Sequence, residues 1–137
     1  MAIDQALIGK SSAPQTFEVS EEAVRRFMQA TEDPALDSNY PLVYAPPTFP
    51  TTFRVRIPDY AIDMSKMQVL HGEQEYRYTR RLRIGEQITC VARVTDVRQR
   101  VGRGGSMTFI VTETTGTDNQ QQVVFVARST GIVRTNE

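Results

Sequence analysis

The chain has 137 residues, 39% of them apolar and 23% charged, which suits one globular domain over 1–137 and excludes both a disordered chain and a pair of ordinary domains. Sixteen basic residues cancel sixteen acidic ones, so the broad positive surface of a non-specific nucleic-acid binder or a polybasic membrane protein is excluded. A single cysteine, Cys90, rules out an internal disulfide framework and a cysteine-based zinc site, and a single histidine, His71, rules out a multi-histidine metal centre.

Met1 to Lys10 carries no basic lead-in followed by an apolar stretch, and no uncharged apolar run approaches the roughly 18–20 residues that a membrane crossing needs. The expectation is a cytoplasmic protein with neither membrane nor nucleic acid as partner. Ser20, Glu21 and Glu22 form a helix start, a hydroxyl cap followed by carboxylates at the positive end of the helix dipole. Ala23, Val24, Phe27 and Met28 recur at helical spacing, and Pro34 ends the helix near Glu32 by forcing Asp33 out of the helical region. Pro46, Pro47 and Pro50 bracket Thr48 and Phe49. That spacing predicts a short buried helix at about 49–55, capped by Thr48, with Pro50 tolerated in its first turn.

From Glu73 onward the apolar period changes to two. Tyr76 and Tyr78 alternate with charged residues, and His71 stands at the start of that strand. Ile88, Cys90, Ala92 and Val94 make one face of a long strand; Val97 and Val101 continue it out of phase, which predicts a bulge near Thr95 or Asp96. Gly102, Gly104 and Gly105 form a hairpin turn, Met107, Phe109 and Val111 lead the next strand, and Gly116 to Asn119 reverse the chain into Val123 to Ile132. Long antiparallel strands need a cover, and the N-terminal helical segments are what the chain offers. The fold class is therefore α+β, an antiparallel sheet curved around a helix.

The run Leu70-His71-Gly72-Glu73-Gln74-Glu75-Tyr76-Arg77-Tyr78 and the later Arg81-Leu82-Arg83-Ile84-Gly85-Glu86 resemble the heart of the MaoC-like N-terminal dehydratase domain, a hotdog fold. Ala45 to Pro50, the Ile8-Gly9 opening, Phe17 to Ser20 and the final strand pair extend the resemblance over nearly the whole chain. It implies a sheet wrapped around one central helix and paired with a second hotdog as a double hotdog. It also implies hydration or dehydration of acyl thioesters, with 2-enoyl groups on coenzyme A or on the phosphopantetheine of acyl carrier protein becoming (R)-3-hydroxyacyl groups. No other cofactor and no metal is implied. Such chemistry uses an Asp/His pair for proton transfer and backbone amides for the developing enolate oxygen.

This chain departs from the competent members of that family. Asp33 matches their aspartate, but Ser38 stands five residues later where they have histidine, and no histidine precedes His71. Pro46, Pro47 and Pro50 remove amides where the core helix would bind an oxyanion. The pattern resembles the non-catalytic half of two-hotdog dehydratases, such as the A-type subunit of (3R)-hydroxyacyl-ACP dehydratases. Such a subunit shapes the acyl tunnel while a partner hotdog supplies the Asp/His pair.

The candidate acid/base residues are Asp33, whose alternative role is ordinary Asp-Pro turn chemistry, and His71, with Glu73 or Glu75 as orienter, whose alternative is a hydrogen-bonded structural histidine. Candidate substrate contacts are Pro47, Thr48 and Phe49 at the head of the core helix. Arg100 and Arg103, flanking the Gly102 turn, are candidates for the phosphates of coenzyme A or the acidic surface of a carrier protein, or are simply solubilising charge. Behind the subunit reading stand a non-catalytic acyl-binding homodimer and then a thioesterase using Asp33, Asp37 or Glu73.

Overall fold

A computed structural model describes residues 5–57 and 67–135. Its elements are strand β1 (Gln15–Glu18), helix α1 (Glu21–Ala30), and strands β2 (Met67–Tyr78), β3 (Gln87–Gly102), β4 (Gly105–Thr117) and β5 (Val123–Thr135), with 3-10 turns at Gln5–Leu7, Pro34–Asp37 and Phe49–Thr52. The strands form one antiparallel sheet in the order β1-β3-β4-β5-β2. No helix among the described residues is long and apolar enough to cross a membrane.

α1 begins and ends where its residues require. The Ser20 hydroxyl accepts from the Ala23 amide at 3.1 Å, Glu21 and Glu22 occupy the first turn, and they pair with Arg25 and Arg26 one turn on. At the far end Glu32 takes a positive φ of 54°, and the Asp33 amide returns to the Met28 carbonyl. Val24 and Met28 are the buried residues of the helix.

The sheet keeps one apolar face through three register shifts, the last of them between Gly116 and Thr117 where β4 meets β5. Ile88, Cys90, Ala92 and Val94 point inward, the register slips between Val94 and Asp96, and Val97 then points inward too. The bulge expected near Thr95 or Asp96 is present, because without it Val97 would face outward. β2 carries a second slip between His71 and Glu73, with Gly72 the extra residue, so His71 and Gln74 both stand opposite inward-facing β5 positions, Gly131 and Ser129. β2 starts at Met67, so His71 lies inside the strand, not at its start.

The expected helix at about 49–55 is a single 3-10 turn, Phe49–Thr52, and the Thr48 side chain makes no cap hydrogen bond. The Thr51 and Thr52 hydroxyls bond back to the Thr48 and Phe49 carbonyls at 2.8 and 2.9 Å, satisfying the turn locally. Val55 and Ile57 are β-branched, and Pro58 disfavours helix at Ile57, so nothing propagates the turn. In place of a long core helix, an aromatic cluster fills the hollow of the sheet. Phe49 meets Phe27 edge-on at 5.7 Å and Phe53 at 5.5 Å, Phe53 stacks on Phe17 at 4.8 Å, and Phe53 approaches Phe125 of β5 at 6.5 Å. Farther along the inner face Val94, Val97, Ile110 and Val133 form a second cluster closed by Leu7 and Ile57.

The glycine at 116 has a packing reason. It pairs across the strands with Phe125, and a Cβ there would stand 2.7 Å from the Phe125 Cζ atom, inside contact distance. Gly116→Ala should therefore destabilise the fold by about 1–3 kcal/mol, the usual cost of overpacking, read as a lower urea midpoint at unchanged slope. Unchanged stability would mean that Phe125 repacks freely.

Candidate functional site

On the inner face, between the aromatic cluster and the edge strand β2, lies a pocket of about 290 Å³. The 3-10 turn contributes Pro50, Thr51 and, just beyond it, Phe53; β2 contributes His71, Gln74 and Tyr76; and β4 and β5 close it with Thr114, Phe125, Ala127 and Ser129. The turn is fastened to β2 by tyrosines. The Tyr78 hydroxyl donates to the Pro47 carbonyl at 2.5 Å, and the Tyr76 phenol interacts with the Thr51 side chain. Burial pushes both phenols up, with Tyr76 adding repulsion at Tyr78 and Thr51 partly offsetting the rise at Tyr76. Both phenols stay protonated at neutral pH, so neither is a base.

The sequence candidates fall as follows. Asp33 caps the Pro34–Asp37 turn, its Oδ1 accepting from the Ala35 amide at 3.0 Å. Its carboxylate thus does turn chemistry, and Asp37 lies exposed in the same turn. Ser38, at the position where the resemblance requires histidine, accepts from the Tyr40 amide at 3.1 Å. His71 lines the pocket, but its Nε2 sits 3.1 Å from the Glu73 carbonyl, and Glu75, the other expected orienter, binds Arg77 at 2.6 Å. Asp33 is absent from the pocket lining, so Asp33 and His71 do not meet there.

Pro47, Thr48 and Phe49 do not line the pocket either; the next residues of the turn do. Pro47 and Thr48 are exposed and Phe49 is 1% accessible inside the aromatic cluster, so Phe49 packs the core and has no surface to offer a substrate. Of the amides that the prolines leave, Phe49 donates to Pro46 and Thr51 to Thr48 at 3.0 Å each. Arg100 and Arg103 are exposed and far along the β3–β4 ribbon from Thr114, with the Arg100 guanidinium 5.9 Å above the Phe109 ring.

Gln74, Thr114 and Ser129 were missed by sequence reasoning. Ser129 interrupts the inner-face series Phe125, Ala127 and Val133 on β5 and Gln74 precedes Tyr76 and Tyr78 on β2, a signal that could have found those two, whereas Thr114 lies between Thr112 and Gly116 and carries no such signal. Arg80 is structural. It grips Glu86 through both nitrogens at 2.7 and 3.0 Å and reaches Asp118 at 3.3 Å, tying the β2–β3 loop to the β4–β5 turn. Cys90 is fully buried, and burial pushes its thiol up to about 12.

A family profile described as FAS1-like, dehydratase domain region, matches residues 6–127. A UPF0336 protein of Thermobifida fusca is 33% identical over 119 residues, covering 74% of this chain and 77% of its own. Among solved structures, the C-terminally truncated HadBC (3R-hydroxyacyl-ACP dehydratase) complex from Mycobacterium tuberculosis superposes with a TM-score of 0.69 at 21% identity, over 92% of this chain and 96% of that one. A MaoC-like dehydratase superposes with a TM-score of 0.73 at 21% identity, over 96% of this chain and 43% of that longer one. The curved antiparallel sheet here is the hotdog fold of those dehydratases.

The Cys90 thiol should resist a thiol-specific disulfide reagent in the native protein and react stoichiometrically once denatured, because a buried protonated thiol is not nucleophilic. Fast native-state labelling would show that the inner face opens.

Proposed function

The chain belongs to the FAS1-like dehydratase domain family, and on that premise we propose that it is the non-catalytic subunit of an enoyl-thioester hydratase, equivalently a (3R)-hydroxyacyl-thioester dehydratase. A partner hotdog supplies the Asp/His pair. That partner's histidine and aspartate activate the water that adds to C3 of the 2-enoyl group and deliver the proton to C2, while amides on its core helix hold the enolate oxygen. The substrate arrives on coenzyme A or on the phosphopantetheine of acyl carrier protein, the reaction needs no further cofactor, and the assembly works in the cytoplasm.

The observation that carries this reading is how this chain spends its acid/base groups. Its aspartate caps a turn, its one imidazole bonds a backbone carbonyl and pairs with no carboxylate among the described residues, and Pro46, Pro47 and Pro50 remove three amides from the neighbourhood where the family binds the oxyanion. Two further features support a partner. β2 is the last strand of the sheet, 12 residues long, and among the described residues nothing pairs with its outer side. Val69 and Leu70 on it are 37% and 52% exposed, an apolar edge that calls for another strand. The pocket adjoins that edge, so a second hotdog added there would roof it and the pocket would become one wall of the acyl tunnel. The structurally similar HadBC is itself a two-subunit complex.

Reconstitution tests the proposal. The purified chain should hydrate crotonyl thioesters no faster than background, and adding the MaoC-like partner should restore turnover. Removing the partner's histidine should then lower the rate by about 10²–10⁴-fold, the typical worth of a general acid/base, whereas His71→Gln should leave kcat in place. Strong hydration by the chain alone would overturn the subunit reading. Release of free thiol would assign a thioesterase, and acyl binding without turnover in every combination would assign a non-catalytic homodimer.

A further inference from the structure

The cross-strand register builds a surface on the outer face of the sheet that neither core cluster uses. Arg100, Met107, Arg134 and Gln68 lie in one row across β3, β4, β5 and β2, and Arg98, Phe109, Ile132 and Leu70 lie in the next. Met107, Phe109 and Ile132 are only partly buried, and Leu70 is 52% exposed. None of the four belongs to the packed interior. The result is an apolar stripe bordered by guanidinium groups, with Arg100 above the Phe109 ring at 5.9 Å.

Charge is segregated along this face. Toward the β4–β5 turn the acids and bases balance, Glu75 holding Arg77 and Glu113 standing opposite both Arg93 and Arg128. At the β3–β4 hairpin end Arg98, Arg100, Arg103 and Arg134 outnumber the acids of the described residues, Asp96, which is taken by Arg98 at 2.8 Å, and Glu73, which shares Asp96's row. The Arg134 Nη2 atom comes within 3.9 Å of the place a Gly104 side chain would fill, which brings it to the hairpin tip beside Arg103. Among the described residues none of Arg100, Arg103 and Arg134 pairs with a carboxylate.

We infer that this stripe is the docking surface for an acidic amphipathic helix of the protein that carries the thioester, an acyl carrier protein. The inference rests on the subunit reading above and names the partner that the subunit would meet. Four strands span about 14 Å at a spacing of ~4.8 Å, which matches the roughly 10–12 Å width of a helix with its side chains. The apolar rows receive the helix's apolar positions and the arginine forks receive its carboxylates. Gln68 and Leu70 carry the stripe to the β2 edge, so a carrier docked there stands beside the seam between two hotdogs. The protein's zero net charge argues against a membrane or nucleic acid here.

The test is direct binding of fluorescently labelled holo acyl carrier protein to the chain and to its complex with the MaoC-like partner, alongside the kinetics of crotonyl-carrier and crotonyl-CoA hydration. Binding should weaken as salt rises. Arg100→Glu combined with Arg134→Glu should raise the Kd and the carrier-substrate KM about tenfold, the effect of removing and reversing two charge-assisted contacts, while crotonyl-CoA keeps its KM. Arg100→Lys with Arg134→Lys should bind nearly as the wild type and, if the glutamates disturb folding, Arg100→Gln with Arg134→Gln gives the same contrast. Carrier binding that ignores these substitutions overturns the inference, as does tighter binding of the wild type to anionic phosphatidylglycerol vesicles than to the carrier. An assembly that binds carrier through these arginines yet hydrates nothing would uphold the docking surface and refute the subunit reading, so the two fail separately.

Discussion

The aromatic contact between the 3-10 turn and the sheet is the constraint on which the rest of the molecule depends. Phe49 and Phe53 reach down from a segment too short to be an independent helix, and Phe17, Phe27 and Phe125 hold them from β1, α1 and β5. Fully burying such a ring is worth about 1.5–3 kcal/mol, far more than one turn of 3-10 hydrogen bonds contributes after solvent is counted. Gly116 belongs to the same arrangement, because only a residue without a side chain leaves room for the Phe125 ring opposite it.

That packing also bears on the backbone amides of the turn. A turn held by ring contacts, by prolines and by tyrosines from β2 is a wall, with the Phe49 and Thr51 amides already bonded inside it. An oxyanion site needs the reverse, free amides aimed at an open position. Asp33 and Ser38 are absorbed into local turns in the same way, each accepting from the backbone two residues on. These two side chains hold the loop between α1 and the core turn in shape.

Much of this was readable along the chain. The helix from Ser20, the bulge after Val94, the glycine hairpin and the α+β class follow from patterns spanning a few residues, and the missing histidine is a plain reading of residues 31–40. The pocket was less readable. Phe49, expected in a short buried segment and as a substrate contact at its head, packs in the core and does not line the pocket. Thr51 and Phe53, a little farther on, face the pocket instead. His71 looked like the first residue of a strand because the alternating pattern begins after it. In fact a bulge at Gly72 keeps it on the same face as Gln74.

The sequence by itself determined the periodicities, the caps, the turn residues and the inventory of ionisable groups, since each is written in neighbouring positions and acts over a turn or a strand pair. Only the tertiary structure decided which face each strand presents after a register slip, which of the phenylalanines became core, and which distant arginines share a row. Those outcomes depend on pairing between residues as far apart as Arg100 and Arg134, joined through Met107. Strand register and side-chain packing are set cooperatively across the whole sheet, so no local window of the chain contains them.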